Sequence, residues 1–200
     1  MKPYYEDDAV TLWHGDSLEV GNWLSDADVL VTDPPYGRSW RQGEIRGHTR
    51  TAEGIANDDS TLTRDEALSA WSGRPAAVFG DLMLAPPSHT RQVLIYRKPV
   101  DAGIRGACGG FRRDVEAVYL IGSWGSGIGG RTSVLASGAR MQAGATIGTT
   151  TRYGHPHAKP IDVLAELITH APPGVIADPF VGSGSTVVAA KQRCRKAIGV

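Results

Sequence analysis

Short apolar runs alternate with polar, turn-rich stretches along the chain, and this pattern predicts seven β-strands. Several of the runs are apolar at consecutive positions, which is typical of strands buried on both faces of a mostly parallel sheet. The predicted strands are VTLWH at 10–14, ADVLVT at 27–32, AAVFG at 76–80, QVLIY at 92–96, VEAVYLI at 115–121, GVIADPF at 174–180 and KAIGV at 196–200.

Helical patterns lie between these strands, at Leu18–Leu24, Thr63–Trp71, Ile161–His170 and Ser185–Gln192. Thr63 is a candidate N-cap because Glu66 follows three residues later. The alternation of strands and helices predicts an α/β domain built in three layers.

The length of 200 residues and a hydrophobic content of 41% fit one soluble domain spanning 1–200. Two segments resist assignment to helix or strand. The segment 37–60 is polar and arginine-rich, and we expect a mobile basic loop there. The segment 122–154 is rich in small residues, so it is either a disordered linker or a short recognition segment.

The formal net charge is zero, so the chain as a whole carries no basic signature of nucleic-acid binding. Arginines cluster at 38–50 and basic residues again at 97–113, where the alternatives are a solvated face or contacts to phosphates. Cys108 and Cys194 are far apart, which argues against a metal site and against a disulfide scaffold. The chain start lacks an apolar signal core and no run is long enough to span a membrane, so we expect a cytoplasmic protein.

The stretch IADPFVGSGST at 176–186 places a glycine turn between a strand and a helix. Gly182 and Gly184 let a ligand approach the backbone, and the helix amino end offers free N–H groups. A Walker loop would require a lysine before Ser185, and a dinucleotide fingerprint would require glycine at Val187. A nucleoside with an amino-acid tail, such as S-adenosylmethionine, fits better, with Asp178 pairing with its ammonium group. The alternative is a tight turn that binds nothing.

The stretch DPPYG at 33–37 follows the apolar run LVT directly. Taken alone, it is most simply a rigid surface turn, because two consecutive prolines fix the backbone. Its meaning therefore depends on the other motifs in the chain.

Four motifs, taken in their order along the chain, give it a family resemblance. They are HGD at 14–16, DPPYG at 33–37, HPHAKP at 155–160 and DPFVGSGST at 178–186. It resembles the DNA amino-methyltransferases that modify adenine N6 or cytosine N4, in their permuted β class. The resemblance implies a class I S-adenosylmethionine-dependent methyltransferase fold with a mostly parallel seven-stranded sheet. GVIADPF would be the central cofactor strand, with KAIGV beside it, VTLWH outside that and ADVLVT on the catalytic side.

The resemblance also implies how DPPYG acts. Asp33 and the carbonyl of Pro34 would accept hydrogen bonds from the target amine, with Pro34 and Pro35 holding the acceptors rigidly. Tyr36 would stack on the base after it has flipped out of the duplex. Asp at the head of the motif favours adenine N6. The alternatives are a methyltransferase that acts on cytosine N4 or on RNA, and a catalytically silent DNA-binding protein on the same scaffold.

The cofactor implied is S-adenosyl-L-methionine. Asp16 would touch its adenine or else form a turn, the HPxxKP segment would lie against its methionine end, and Phe180 would wall its pocket. The implied binding residues are Asp16, Asp33, His155, Lys159, Pro160, Asp178, Pro179, Phe180, Gly182, Ser183, Gly184, Ser185 and Thr186. The family's usual ribose-binding acid would follow KAIGV, and since the chain ends at Val200 we expect a truncation, another ribose-binding group or weaker binding.

Double-stranded DNA is the partner that the resemblance implies, as in restriction-modification. The candidate phosphate contacts are Arg38, Arg41, Arg46, Arg50, Arg105, Arg112 and Arg113. The segment 122–154 carries few long cationic side chains, which predicts a short or degenerate target sequence. Relatives of this family often pair, so a homodimer is a reasonable expectation.

Overall fold

The computed structural model describes residues 2–39, 55–98, 110–111, 113–125, 129–137 and 158–200. The strands are β1 Tyr5–Glu6, β2 Val10–Leu12, β3 Val29–Thr32, β4 Ala76–Gly80, β5 Thr90–Arg97, β6 Val115–Ile121, β7 Val134–Ala136, β8 Ile176–Asp178 and β9 Ala197–Gly199. The helices are α1 Trp23–Asp26, α2 Leu62–Trp71, α3 Ile161–His170 and α4 Ser185–Gln192.

Within the described residues, nine strands form one sheet in the order β1-β2-β9-β8-β3-β4-β6-β5-β7. The run from β2 through β9, β8 and β3 to β4 is parallel throughout. β6 is antiparallel to both of its neighbours, β4 and β5. All seven predicted strands form, and β8 lies between β9 and β3 as the resemblance implied. The two added strands are short and lie at the edges of the sheet, and β7 falls within the segment 122–154.

The prediction of a helix over Leu18–Leu24 is largely wrong. The side chain of Asp16 accepts a hydrogen bond from the Leu18 backbone, and its carbonyl accepts two more, so the chain turns instead. Gly21 then adopts a left-handed φ of 85°, which delays the helix until Trp23–Asp26.

The proposed N-cap of α2 is also wrong by two positions. The helix begins at Leu62, with Thr61 as its N-cap. The Thr61 hydroxyl donates a hydrogen bond of 2.9 Å to Asp65, which holds the first turn closed from the side.

The core occupies both faces of the sheet, as the consecutive apolar positions predict. On one face, Val29 and Val31 of β3 pack with α3 and α4. On the other face, Leu30 packs with Trp23 and Trp71, whose rings stack with centroids 6.0 Å apart. The result is a three-layer α/β domain. In the described part of the chain, no helix is long and apolar enough to cross a membrane.

Candidate active site

The two principal motifs begin at the ends of neighbouring parallel strands. β3 pairs with β8 in a register that places Leu30 opposite Ala177. β3 ends at Thr32, just before DPPYG, and β8 ends at Asp178, which opens the glycine-loop motif. The Thr32 hydroxyl donates a hydrogen bond of 2.7 Å to Oδ1 of Asp178. Both motifs therefore begin at the same edge of the sheet.

Asp178 is a buried carboxylate held by donors from its own protein. It is 2% exposed, and its Oδ1 also accepts the backbone N–H of Phe180 at 3.0 Å. Burial raises the pKa of Asp178 to about 6, although the hydrogen bonds from Thr32 and Thr186 act in the opposite direction. Its described contacts tie β8 to β3 and fix the start of the glycine loop.

The backbone of the glycine loop is not crowded by neighbouring atoms at its two glycines. Gly182 and Gly184 have φ values of 44° and 79°, in the left-handed region that favours glycine. A Cβ at either position would come no closer than 3.7 Å to a neighbouring atom. α4 begins immediately afterwards at Ser185, so its amino end faces the same region. This arrangement can receive an anionic or polar ligand group against the backbone.

Both carboxylate oxygens of Asp33 are engaged by side chains of the protein. Lys159 Nζ lies 2.8 Å from Oδ2, and the Tyr36 hydroxyl donates to Oδ1 at 2.8 Å. The Lys159 side chain is only 11% exposed. HPHAKP and DPPYG thus meet through one ion pair, between residues 126 positions apart in the sequence.

Glu116 of β6 completes this arrangement, which we call the charge cluster: Asp33, Glu116, Lys98 and Lys159. Lys159 Nζ lies 3.2 Å from Oε2 of Glu116, and Lys98 Nζ lies 2.6 Å from Oε1. The Tyr36 hydroxyl is also within 3.2 Å of Oε2. Two carboxylates therefore face two ammonium groups.

Electrostatics keep the buried members of the charge cluster ionised. Burial disfavours the charged form of Lys159, but Asp33 and Glu116 outweigh it and raise its pKa. Burial likewise opposes ionisation of Glu116, and the neighbouring Lys159 and Lys98 outweigh it, so the pKa of Glu116 is lowered. Burial and the two carboxylates raise the pKa of Tyr36 well above its usual value, so its hydroxyl remains a donor.

Sequence reasoning missed Glu116 and Lys98 as site residues. The available signal was Glu116 itself, the only charged residue in the apolar run VEAVYLI. A charged residue in a strand buried on both faces requires a partner, which points to a site.

Other predicted site residues lie in several environments. Asp16 is exposed and forms the turn described above. Pro160 is the N-cap of α3, directly after Lys159. Arg38 forms an ion pair with Asp81, at the end of β4, and its guanidinium lies 5.9 Å from the centre of the Tyr36 ring. Arg113 is exposed. The following predicted residues lie outside the described residues: Arg41, Arg46, Arg50, Arg105, Arg112 and His155.

Solved structures share this fold. The PvuII DNA methyltransferase, which is cytosine-N4-specific, matches with a TM-score of 0.62 and 15% identity, over 99% of this chain and 83% of that one. The M1.HpyAVI–SAM complex matches with a TM-score of 0.57 and 16% identity, over 95% and 92% of the two chains. The fold is thus that of the class I S-adenosylmethionine-dependent methyltransferases.

Sequence comparisons establish the family. A family model described as DNA methylase matches residues 130–200. The "Putative methylase YubD" of Escherichia coli (strain K12) is 51% identical over 195 residues, covering 86% of this chain and 75% of that protein. The type II methyltransferase M.ScaI of Streptomyces caespitosus is 23% identical over 245 residues, covering all of this chain and 79% of that protein. The chain belongs to the DNA methylase family.

Proposed function

We propose that this protein transfers the methyl group of S-adenosyl-L-methionine to the exocyclic amine of a base in double-stranded DNA, with adenine N6 as the favoured acceptor. The observation that carries the proposal is the position of Asp33 and the glycine loop at the ends of adjacent parallel strands. Ligands of open parallel sheets bind beyond the carboxyl ends of the strands. One cleft can therefore hold both the methyl donor and the acceptor.

Asp33 would act as a hydrogen-bond acceptor for the amine. The lone pair of an exocyclic amine is delocalised into the ring, so acceptors that draw the nitrogen towards a tetrahedral geometry favour attack on the methyl group. A carboxylate offers about four acceptor positions, so Asp33 can accept from the amine while it keeps Lys159 and Tyr36. The carbonyl of the buried Pro34 would supply the second acceptor, held rigidly by the Pro34-Pro35 pair.

The uncrowded backbone at Gly182 and Gly184 supports a place for the cofactor beside it. The glycine loop and the amino end of α4 would hold its carboxylate, and Phe180 would wall the pocket. The cofactor supplies an electrophilic methyl group on a sulfonium. For the remaining predicted cofactor residues, including Asp16 and Lys159, the cofactor-binding roles that the resemblance implies are part of this proposal.

Tyr36 would stack on the target base once the base has left the duplex. Stacking on an aromatic ring stabilises a bound base by about 1–3 kcal/mol, which offsets part of the cost of flipping. The ring is only partly buried, and the contacts of its hydroxyl with Asp33 and Glu116 fix its orientation. A preset ring is suited to receiving a planar base.

Incubation with labelled cofactor and mixed-sequence duplex DNA, followed by digestion to nucleosides, tests the proposal. We expect label in N6-methyladenine. Label in N4-methylcytosine would move the acceptor to cytosine. Label in a parallel incubation with RNA, but none with DNA, would contradict the proposal. Asp33→Ala should abolish incorporation, whereas Asp65→Ala, at a half-exposed aspartate of α2, should leave it unchanged.

Calorimetry distinguishes the proposed methyltransferase from a catalytically silent DNA-binding protein. We expect heat on titration with S-adenosyl-L-methionine, and DNA binding without any cofactor heat or methyl incorporation would favour the silent alternative. A cytoplasmic location, a homodimer, a mobile loop at 37–60 and target recognition by 122–154 stay predictions.

A further inference from the structure

Glu116 is a carboxylate in a place where a carboxylate is costly. It is 6% exposed, and it lies on β6, where the following residues from Ala117 to Ile121 are all buried. A buried charge destabilises a fold unless it is paired and hydrogen-bonded. The cluster around Glu116 satisfies this requirement, and its partners indicate what the residue is for.

Two of those partners are the groups that hold Asp33. Lys159 lies 2.8 Å from Asp33 and 3.2 Å from Glu116. The Tyr36 hydroxyl lies 2.8 Å from Asp33 and 3.2 Å from Glu116. Oε2 of Glu116 is the atom involved in both cases, so a single oxygen anchors both donors from the β6 side.

We propose that Glu116 is a positioning residue for methyl transfer: it holds Lys159 and Tyr36 against Asp33, so that the Asp33 carboxylate keeps one orientation towards the substrate amine. This inference rests on the function proposed above. Lys98, bound to the other oxygen of Glu116 at 2.6 Å, fixes the glutamate itself.

The charges of the cluster support this role. With Glu116 present, two carboxylates balance two ammonium groups. Without the charge of Glu116, Lys98 loses this carboxylate partner, and Lys159 keeps Asp33 but loses the partner that restrains it on the β6 side. Lys159 and Tyr36 would still contact Asp33 but would no longer be restrained from the β6 side. Displacement of a reacting group by about 1 Å can reduce a rate roughly a hundredfold.

Glu116→Gln is the first test, because it removes the charge and keeps the shape. We expect kcat for methyl transfer to fall roughly a hundredfold, while KM for DNA and the affinity for S-adenosyl-L-methionine stay close to wild type. The matched control is Glu166→Gln on α3, which removes a carboxylate paired with Arg131 and His170. The control should retain wild-type kcat.

A double-mutant cycle with Lys159→Met separates positioning from general loss of structure. If Glu116 acts through Lys159, adding Glu116→Gln to Lys159→Met should lower kcat by much less than it does alone. Fully additive losses would overturn the proposal. Thermal unfolding of each variant is measured alongside the kinetics. If Glu116→Gln does not fold, Glu116→Asp, which retains the charge on a shorter side chain, is tested in its place. Wild-type kcat in a folded Glu116→Asp protein would overturn the proposal.

The pH profile gives a second, independent readout. Because Glu116 raises the pKa of Lys159, its replacement should move the alkaline limb of kcat/KM to lower pH. If the alkaline limb of kcat/KM does not move and the losses of kcat in the double-mutant cycle are additive, Glu116 has a structural role only. If the wild-type protein transfers no methyl group, the proposed function fails. If the wild type is active and Glu116→Gln equals it, this inference alone fails.

Discussion

The hydroxyl of Thr32, the last residue of β3, donates a hydrogen bond of 2.7 Å to the carboxylate of Asp178, the last residue of β8, across 146 positions of sequence. Both residues are almost fully buried, at 1% and 2% exposure. Because DPPYG continues from one strand and the glycine loop from the other, this bond fixes the spacing between the two halves of the site.

Thr32→Val should lower the free energy of unfolding by about 1–3 kcal/mol, because it leaves a buried carboxylate with one donor fewer at nearly constant volume. Urea unfolding measures the loss. Thr61→Val is the control, since its hydroxyl also binds an aspartate, Asp65, but one that is half exposed. A loss for Thr32→Val no larger than for Thr61→Val would contradict the importance of the bond.

Asp178 should give the unfolding free energy a recognisable pH dependence. Its pKa is about 6 in the folded protein against an ordinary value of 3.8, so the folded state holds this proton more tightly than the unfolded state. The contribution of the carboxyl to stability is therefore full below about pH 4 and is lost as pH rises through about 6. Relative to Asp178→Asn, the wild type should lose about 3 kcal/mol across this window. Parallel unfolding curves at pH 4 and pH 7.5 check this, and a constant difference between the two proteins would contradict it.

The hydroxyl and the ring of Tyr36 should contribute separately, the hydroxyl to kcat and the ring to DNA affinity. Tyr36→Phe removes the hydroxyl bonded to Asp33 and Glu116, so kcat should fall while duplex DNA still binds. Tyr36→Ala also removes the ring, and should weaken binding of DNA with an unpaired target base by a further 1–3 kcal/mol or so. Fluorescence titration with 2-aminopurine at the target position measures the difference. Equal affinities for the two variants would argue against stacking.

Gly37, the last residue of DPPYG, should not tolerate a side chain. Its φ is 81°, and a Cβ would lie 2.8 Å from the backbone carbon of Ser60. Gly73 has a similar φ of 70°, but a Cβ there would meet His89 at an ordinary 3.6 Å. Gly37→Ala should therefore lower both stability and methyl transfer more than Gly73→Ala, which carries only the backbone strain of roughly 1 kcal/mol. Unfolding and methylation assays on the pair check this, and equal losses would rule out the steric clash.

The strands and the last two helices could be predicted because local sequence determines them. Consecutive apolar residues define β3, β4 and β6, and α3 and α4 begin and end where the sequence pattern places them. The pairing of β3 with β8 came from the family resemblance rather than from local pattern. The failure at Leu18–Leu24 has a local cause, because Gly21 adopts a left-handed φ of 85° and the helix begins only at Trp23.

The charge cluster could not be predicted in full because its members come from four separate parts of the chain. Lys98 follows β5, Glu116 lies on β6, Lys159 precedes α3 and Asp33 follows β3. Which charges meet depends on the register between strands and on the placement of α3 over the sheet, and neither is encoded in the residues adjoining each charge. Asp33 and Lys159 were each identified as site residues, but their ion pair was not.

The insertion of β8 and β9 between β2 and β3 also bears on how the protein folds. Among the described strands, β2 meets the central strands through β9, and the glycine loop approaches Asp33 when β8 docks beside β3. During synthesis β2 and β3 must therefore wait, each with one edge unpaired, until residues 176–199 have left the ribosome. Contacts closed over such long separations slow folding, and they make the candidate active site form late.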